Sequence, residues 1–105
     1  MTANEGVTLS ELQKHLDEVC KKNGWDKNSV TEVFLLLSEE IGELAKEIRK
    51  QTGFKGEKKP KNKDSMRKEF ADVLNYVLEL ANRFDIDLTD AYFEKHAINE
   101  KREWK

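Results

Sequence analysis

Val30-Thr-Glu-Val-Phe-Leu-Leu-Leu-Ser-Glu-Glu-Ile-Gly-Glu-Leu-Ala-Lys-Glu-Ile48 is the stretch that decides the fold. Val30, Val33, Phe34, Leu37, Ile41, Leu44 and Ile48 recur at steps of three and four, which draws one apolar stripe along a helix of 3.6 residues per turn. Ser29 and Glu32 stand at capping-box spacing, so a hydroxyl and a carboxylate can satisfy the amides left over at the helix start. The spacing predicts a long helix that stops near Gly53.

Outward from it the same logic repeats. Thr8-Leu-Ser-Glu11 is a second capping box, and Leu12, Leu16, Val19 and Cys20 form a stripe ending at about Lys22, before Asn23-Gly24. Trp25 opens a short connection. Residues 55–63 hold the one proline, several lysines and no large apolar side chain, and read as a mobile surface loop. Asp64 or Ser65 can cap a third helix carrying Met66, Phe70, Val73, Val77, Leu80 and Phe84, its apolar arc widened by Leu74, Leu78 and Ala81. Asp87-Leu-Thr-Asp90 begins a fourth, bearing Leu88, Ala91, Tyr92 and Ile98 and expected to fray before Lys105. No strand pattern or internal repeat appears. About four helices joined by short turns predict an all-α antiparallel bundle. The broad arc of the third helix, with Leu35 off the stripe of the second, leaves apolar surface for a homodimer or homotetramer, giving an oligomeric bundle.

The 105 residues, 37% hydrophobic, suit a single domain spanning 1–105. Charged residues make up 38% and are spread along the chain, as in a well-solvated helical protein. A net charge of −2 supplies no overall positive field for nucleic acid or an anionic membrane. The single cysteine, Cys20, excludes an intrachain disulfide and a cysteine-rich zinc site. No apolar run reaches spanning length, and residues 1–7 lack both parts of a signal peptide, so the expected location is cytoplasmic.

The chemistry is in the carboxylates. Glu40 and Glu43 project from nearly one side of the second helix and Glu47 continues the row; on the third helix Glu69 and Asp72 share a side, followed by Tyr76 and Arg83. Both rows lie at the edge of an apolar stripe, so each is expected to face a neighbouring helix. Four carboxylates brought together there must take up protons or be neutralised, and a divalent cation does the second. All-oxygen ligation selects Mg²⁺, Mn²⁺ or Ca²⁺. No Glu-x-x-His pair points to a di-iron centre. A competing reading is a solvated acidic face, with Glu43 and Glu47 beside Lys46 and Lys50.

Ser38-Glu-Glu-Ile-Gly-Glu-Leu-Ala-Lys-Glu47 followed by Lys68-Glu-Phe-Ala-Asp-Val-Leu-Asn-Tyr76 resembles the EExxE…ExxD signature of the MazG-type all-α nucleotide pyrophosphohydrolases. Trp25, the turn at 82–88 and Lys95-x-x-x-Asn99-x-x-Arg102 are similar to the same family, so the likeness covers most of the chain. It implies that Glu40, Glu43, Glu69 and Asp72 bind Mg²⁺, with Mn²⁺ an alternative. It also implies that Tyr76, Lys95 and Asn99 contact the nucleotide and that Trp25 stacks near the base; Lys95, Asn99 and Arg102 share one side of the fourth helix, which suits either phosphate oxygens or a solvated face. Glu39 matches the motif's first glutamate but points about 100° away from Glu40 on a helix, toward solvent or an outer position. Relatives selective for a cytosine nucleotide tend to carry a histidine shortly after the tryptophan and an aromatic two turns after the third glutamate. Here Asp26-Lys-Asn-Ser29 and Lys50 stand instead, which leaves the base open.

The implied reaction is hydrolysis of a (deoxy)nucleoside triphosphate to the monophosphate and pyrophosphate, with Glu40 or Glu43 orienting the attacking water, in the service of nucleotide-pool cleaning. Phosphoribosyl-ATP is the rival substrate within the superfamily. A non-catalytic, metal-stabilised helical interaction module is the rival of another class. The lysines of 55–68 read either as a lid over a triphosphate or as a solvated run.

Overall fold

A computed structural model describes residues 6–103. Four α-helices run in order, α1 (Leu9–Asn23), α2 (Val30–Thr52), α3 (Asp64–Arg83) and α4 (Leu88–Glu103), with short 3-10 turns at Trp25–Lys27 and Phe54–Gly56. The class is all-α, and no strand occurs among the described residues. No helix there is long and apolar enough to cross a membrane. The expected fraying before Lys105 lies outside the described residues.

Local chemistry sets the helix ends. Both capping boxes form: Thr8 with Glu11 opens α1, and Ser29 with Glu32 opens α2. Gly24 and Gly53 close those helices at φ 74° and φ 67°, a left-handed turn that costs glycine little, and their amides return to the last carbonyls. The third start differs from the capping expectation. Asp64 is already helical, and the Asn62 Oδ1 accepts its amide at 3.0 Å. Asp87 caps α4, its Oδ1 accepting from the amides of Thr89 and Asp90. The Ser10 hydroxyl, donating to Asp87 at 2.7 Å, and those amides hold its carboxyl below the usual aspartate range.

The chain divides into two units, one of residues 28–77 and one of the chain before and after that segment. In the flanking unit, Cys20, Leu78 and Ala81 are buried beside Gln13, which is 6% exposed. Gln13 ties three segments together: its Nε2 donates to Asn82 Oδ1 (3.1 Å) and to the Ile86 carbonyl (2.7 Å), and its Oε1 accepts from the Leu88 amide (2.8 Å). Asn82 Nδ2 in turn donates to the Gln13 carbonyl. Glu79 is also buried and pairs with Arg83 at 3.2 Å, whose guanidinium donates to the Trp25 carbonyl.

In the 28–77 unit, α2 and α3 run antiparallel: Gln51 at the end of α2 donates to the Asn62 carbonyl ahead of α3, while Glu40 meets Glu69 and Asp72 further along. Val33 and Leu37 are its buried apolar side chains. Much of the apolar surface stays uncovered, as the broad arc of the third helix and Leu35 led one to expect, and on α2 the uncovered part extends into the main stripe. Phe34, Ile41, Ile48, Phe70, Leu74 and Val77 remain exposed, as does Leu35. A chain of this size presents too little partner surface to cover stripes this wide.

Candidate metal centre

The site is built from facing turns of the antiparallel helices α2 and α3. On α2 the three-residue step puts Glu40 and Glu43 on one side; on α3 the same step does so for Glu69 and Asp72. Glu40, Glu69 and Asp72 each offer one carboxylate oxygen, and these three oxygens all lie within 4.8 Å of one another. Glu40 and Glu69 are half-buried. Among the described residues this is the one group of three or more acids, histidines or cysteines so placed.

Electrostatics mark Glu69 as the strained member. The hydrogen bond between its carboxyl and that of Glu40, loss of solvent, and the charges of Glu40, Asp72 and Glu43 together push its pKa up to about 7. Its Oε2 is buried and has no hydrogen-bond partner. A carboxylate oxygen withheld from water and given no donor is costly unless a proton or a cation meets it. An all-oxygen donor set of this kind fits a hard divalent cation such as Mg²⁺ or Mn²⁺.

This arrangement has a pH signature. A carboxyl that holds its proton more tightly in the folded chain than in the unfolded one loses that advantage as pH rises from the ordinary glutamate pKa of 4.5 to the folded value of about 7. The Tm of metal-free protein is therefore expected to decline through that window on account of Glu69 and to level off above it. Glu69→Gln should remove the decline, as followed by thermal unfolding at a series of pH values. A Tm that climbs equally in both proteins across the window would contradict a shared proton.

The other candidate residues are placed differently. Glu43 is exposed, one turn along from Glu40, and its charge reaches Glu69 although its oxygens are not in the group of three. Glu47 ends the ridge with 13% of its side chain exposed, 3.6 Å from Lys50 Nζ. Glu47 thus has the lysine neighbour of the solvated-face reading but little of its exposure, while Glu40 faces carboxylates. Glu39 is exposed. Tyr76, one turn beyond Asp72, is half-buried. Trp25 is 50% exposed, and Lys95, Asn99 and Arg102 lie exposed along α4; these four belong to the flanking unit.

Comparison with known proteins agrees with this chemistry. The MazG nucleotide pyrophosphohydrolase domain matches residues 28–103, which contain all four motif carboxylates. The chain is 31% identical over 100 residues to the uncharacterized protein YpjD of Bacillus subtilis, covering 92% of this chain and 90% of that one. It is 30% identical over 99 residues to dCTP pyrophosphatase 1 of Homo sapiens, covering 90% of this chain and 58% of the human protein.

Proposed function

Because the chain belongs to the MazG nucleotide pyrophosphohydrolase family and is a hydrolase of that class, we propose that it cleaves a (deoxy)nucleoside triphosphate between the α and β phosphates. The products are the nucleoside monophosphate and pyrophosphate. The convergence of Glu40, Glu69 and Asp72 around an unpartnered buried oxygen is the observation that carries this reading. Glu43, one turn away and exposed, is the fourth proposed ligand, free to swing toward the group. Mg²⁺ is the proposed ion, with Mn²⁺ able to replace it; once bound it would draw charge from the phosphate oxygens and acidify a water.

The chain's own groups do the rest. A carboxylate at Glu40 or Glu43 takes the proton of the attacking water as its oxygen bonds to the α phosphorus and the bridging oxygen departs with pyrophosphate. Tyr76, Trp25, Lys95, Asn99 and Arg102 are the proposed nucleotide contacts, on the strength of the family resemblance. dCTP, the nucleotide in the human relative's name, is one candidate substrate, although Asp26 and Lys50 depart from the cytosine-selective pattern. We further propose a single-domain enzyme acting in the cytoplasm in nucleotide-pool cleaning. The exposed stripes support a homodimer or homotetramer.

Pyrophosphate release from a panel of ribo- and deoxyribonucleoside triphosphates, with and without Mg²⁺, tests the reading in the wild type and in Glu43→Ala. Metal-dependent release in the wild type that the variant lacks is expected. No release from any triphosphate would overturn it, and phosphoribosyl-ATP would then be assayed in its place.

A further inference from the structure

We infer that the basic segment between α2 and α3 captures the polyphosphate end of the substrate through its electrostatic field, setting how fast substrate is taken up and favouring triphosphates over less charged nucleotides. This rests on the triphosphate reading above. Residues 55–68 carry seven lysines and arginines against two acids, a net of +5 in a chain whose total is −2. Both acids are already committed to arginines: Glu57 Oε1 lies 2.7 Å from Arg49 Nε, and Asp64 Oδ1 lies 3.9 Å from Arg67. Lys58, Lys59, Lys61, Lys63 and Lys68 consequently have no carboxylate partner among the described residues. Glu57 ties the segment to α2, Asp64 pairs within the first turn of α3, and the lysine charges are left uncompensated.

The segment is tethered, which separates this role from that of a closing lid. Arg49–Glu57 clips its first half to α2, Gln51 Nε2 holds the Asn62 carbonyl at 2.8 Å, and Asn62 receives the first amide of α3. Lys59 lies across the backbone at Gly53, where a Cβ would come within 3.3 Å of its Cε. The backbone that carries the lysines is therefore anchored at both of its ends.

Its position suits the carboxylates. Lys68 immediately precedes Glu69, and Lys63 to Asp72 spans about 13 Å at 1.5 Å per helical residue, close to the screening length of about 10 Å in 0.1 M salt. An acidic group alone repels a triphosphate of about four negative charges; a cationic rim at this distance reverses the sign of the long-range field. Capture then grows with the number of phosphates, while the chemical step stays with the carboxylates.

The test is the full-length variant with Lys58, Lys59, Lys61 and Lys63 all changed to Gln, assayed on the triphosphate the wild type turns over fastest, with circular dichroism as a check on folding. At low ionic strength kcat/KM is expected to fall about tenfold with kcat nearly unchanged, and the gap should close as salt is added. Equal kcat/KM at low salt would overturn the inference, as would a loss that salt leaves untouched, since that marks direct contact. Calorimetric binding of tripolyphosphate without metal gives a readout independent of turnover. Several-fold tighter, salt-sensitive binding by the wild type is expected, and equal binding by the two proteins overturns the inference. An enzyme inactive on all triphosphates overturns the proposed reaction instead, and the binding comparison still decides the role of the loop. The double variant Lys61→Gln with Lys63→Gln should show a proportionately smaller effect, and provides the same comparison if the fourfold variant does not fold.

Discussion

Asp72→Ala is expected to cut Mg²⁺-dependent turnover by about 10²–10³-fold or more, the scale of losing one group that stabilises charge in the transition state. Asp72 supplies one of the three oxygens that meet within 4.8 Å, and the two that remain, from Glu40 and Glu69, cannot restore the donor set from α3. The helix itself has no use for the carboxylate, since alanine is the better helix former. Removing one negative charge from a group whose mutual repulsion raises the Glu69 pKa should leave the metal-free protein as stable as the wild type or slightly more so. The expected pattern is therefore lost turnover, an unchanged helical circular dichroism spectrum, and loss of the Tm rise on adding Mg²⁺. Glu39→Ala is the control within the same motif: Glu39 is exposed and points away from the group, so activity within a few-fold of wild type is expected. Turnover by Asp72→Ala within about tenfold of wild type would place the reacting phosphate elsewhere.

What the sequence made legible follows the range of the forces involved. Helix starts are local, and Thr8 with Glu11 and Ser29 with Glu32 could be read because cap and partner lie three residues apart. Periodicity likewise identified the side of α2 and of α3 on which the carboxylates sit. It could not say at which turn the two helices come together, which is why Glu40 meets Glu69 and Asp72 while Glu43, at equivalent spacing, stays exposed. Nor could it say what covers a stripe: Phe34, Ile41 and Phe70 have the pattern of core residues, yet the single chain leaves each about half exposed. Gln13 was invisible for the same reason. A glutamine between Leu12 and Lys14 reads as solvated surface, and its partners lie 69 to 75 residues away along the chain.

Gln13→Ala should consequently be among the most destabilising single changes in the flanking unit. The substitution strips the Ile86 carbonyl of its donor and the Leu88 amide, at the first residue of α4, of its acceptor, and it takes one bond from Asn82. With Gln13 only 6% exposed, water replaces these bonds poorly. At about 1–3 kcal/mol for each of the two polar groups left unpaired, the loss comes to about 2–6 kcal/mol, or a Tm lower by about 10–30 °C for a chain of this length. Gln13→Glu tests whether the bonds or the volume matter. It keeps the shape and the oxygen that accepts from Leu88, but once ionised it aims a carboxylate at the Ile86 carbonyl in place of an N–H. That variant should be nearly wild-type in stability at acid pH, where the protonated carboxyl can still donate, and should lose stability as pH rises and the proton leaves. Denaturant unfolding of both variants at two pH values separates the cases. A Gln13→Ala loss below about 1 kcal/mol would mean the turn between α3 and α4 is held by the Asp87 cap and the Ser10 contacts instead.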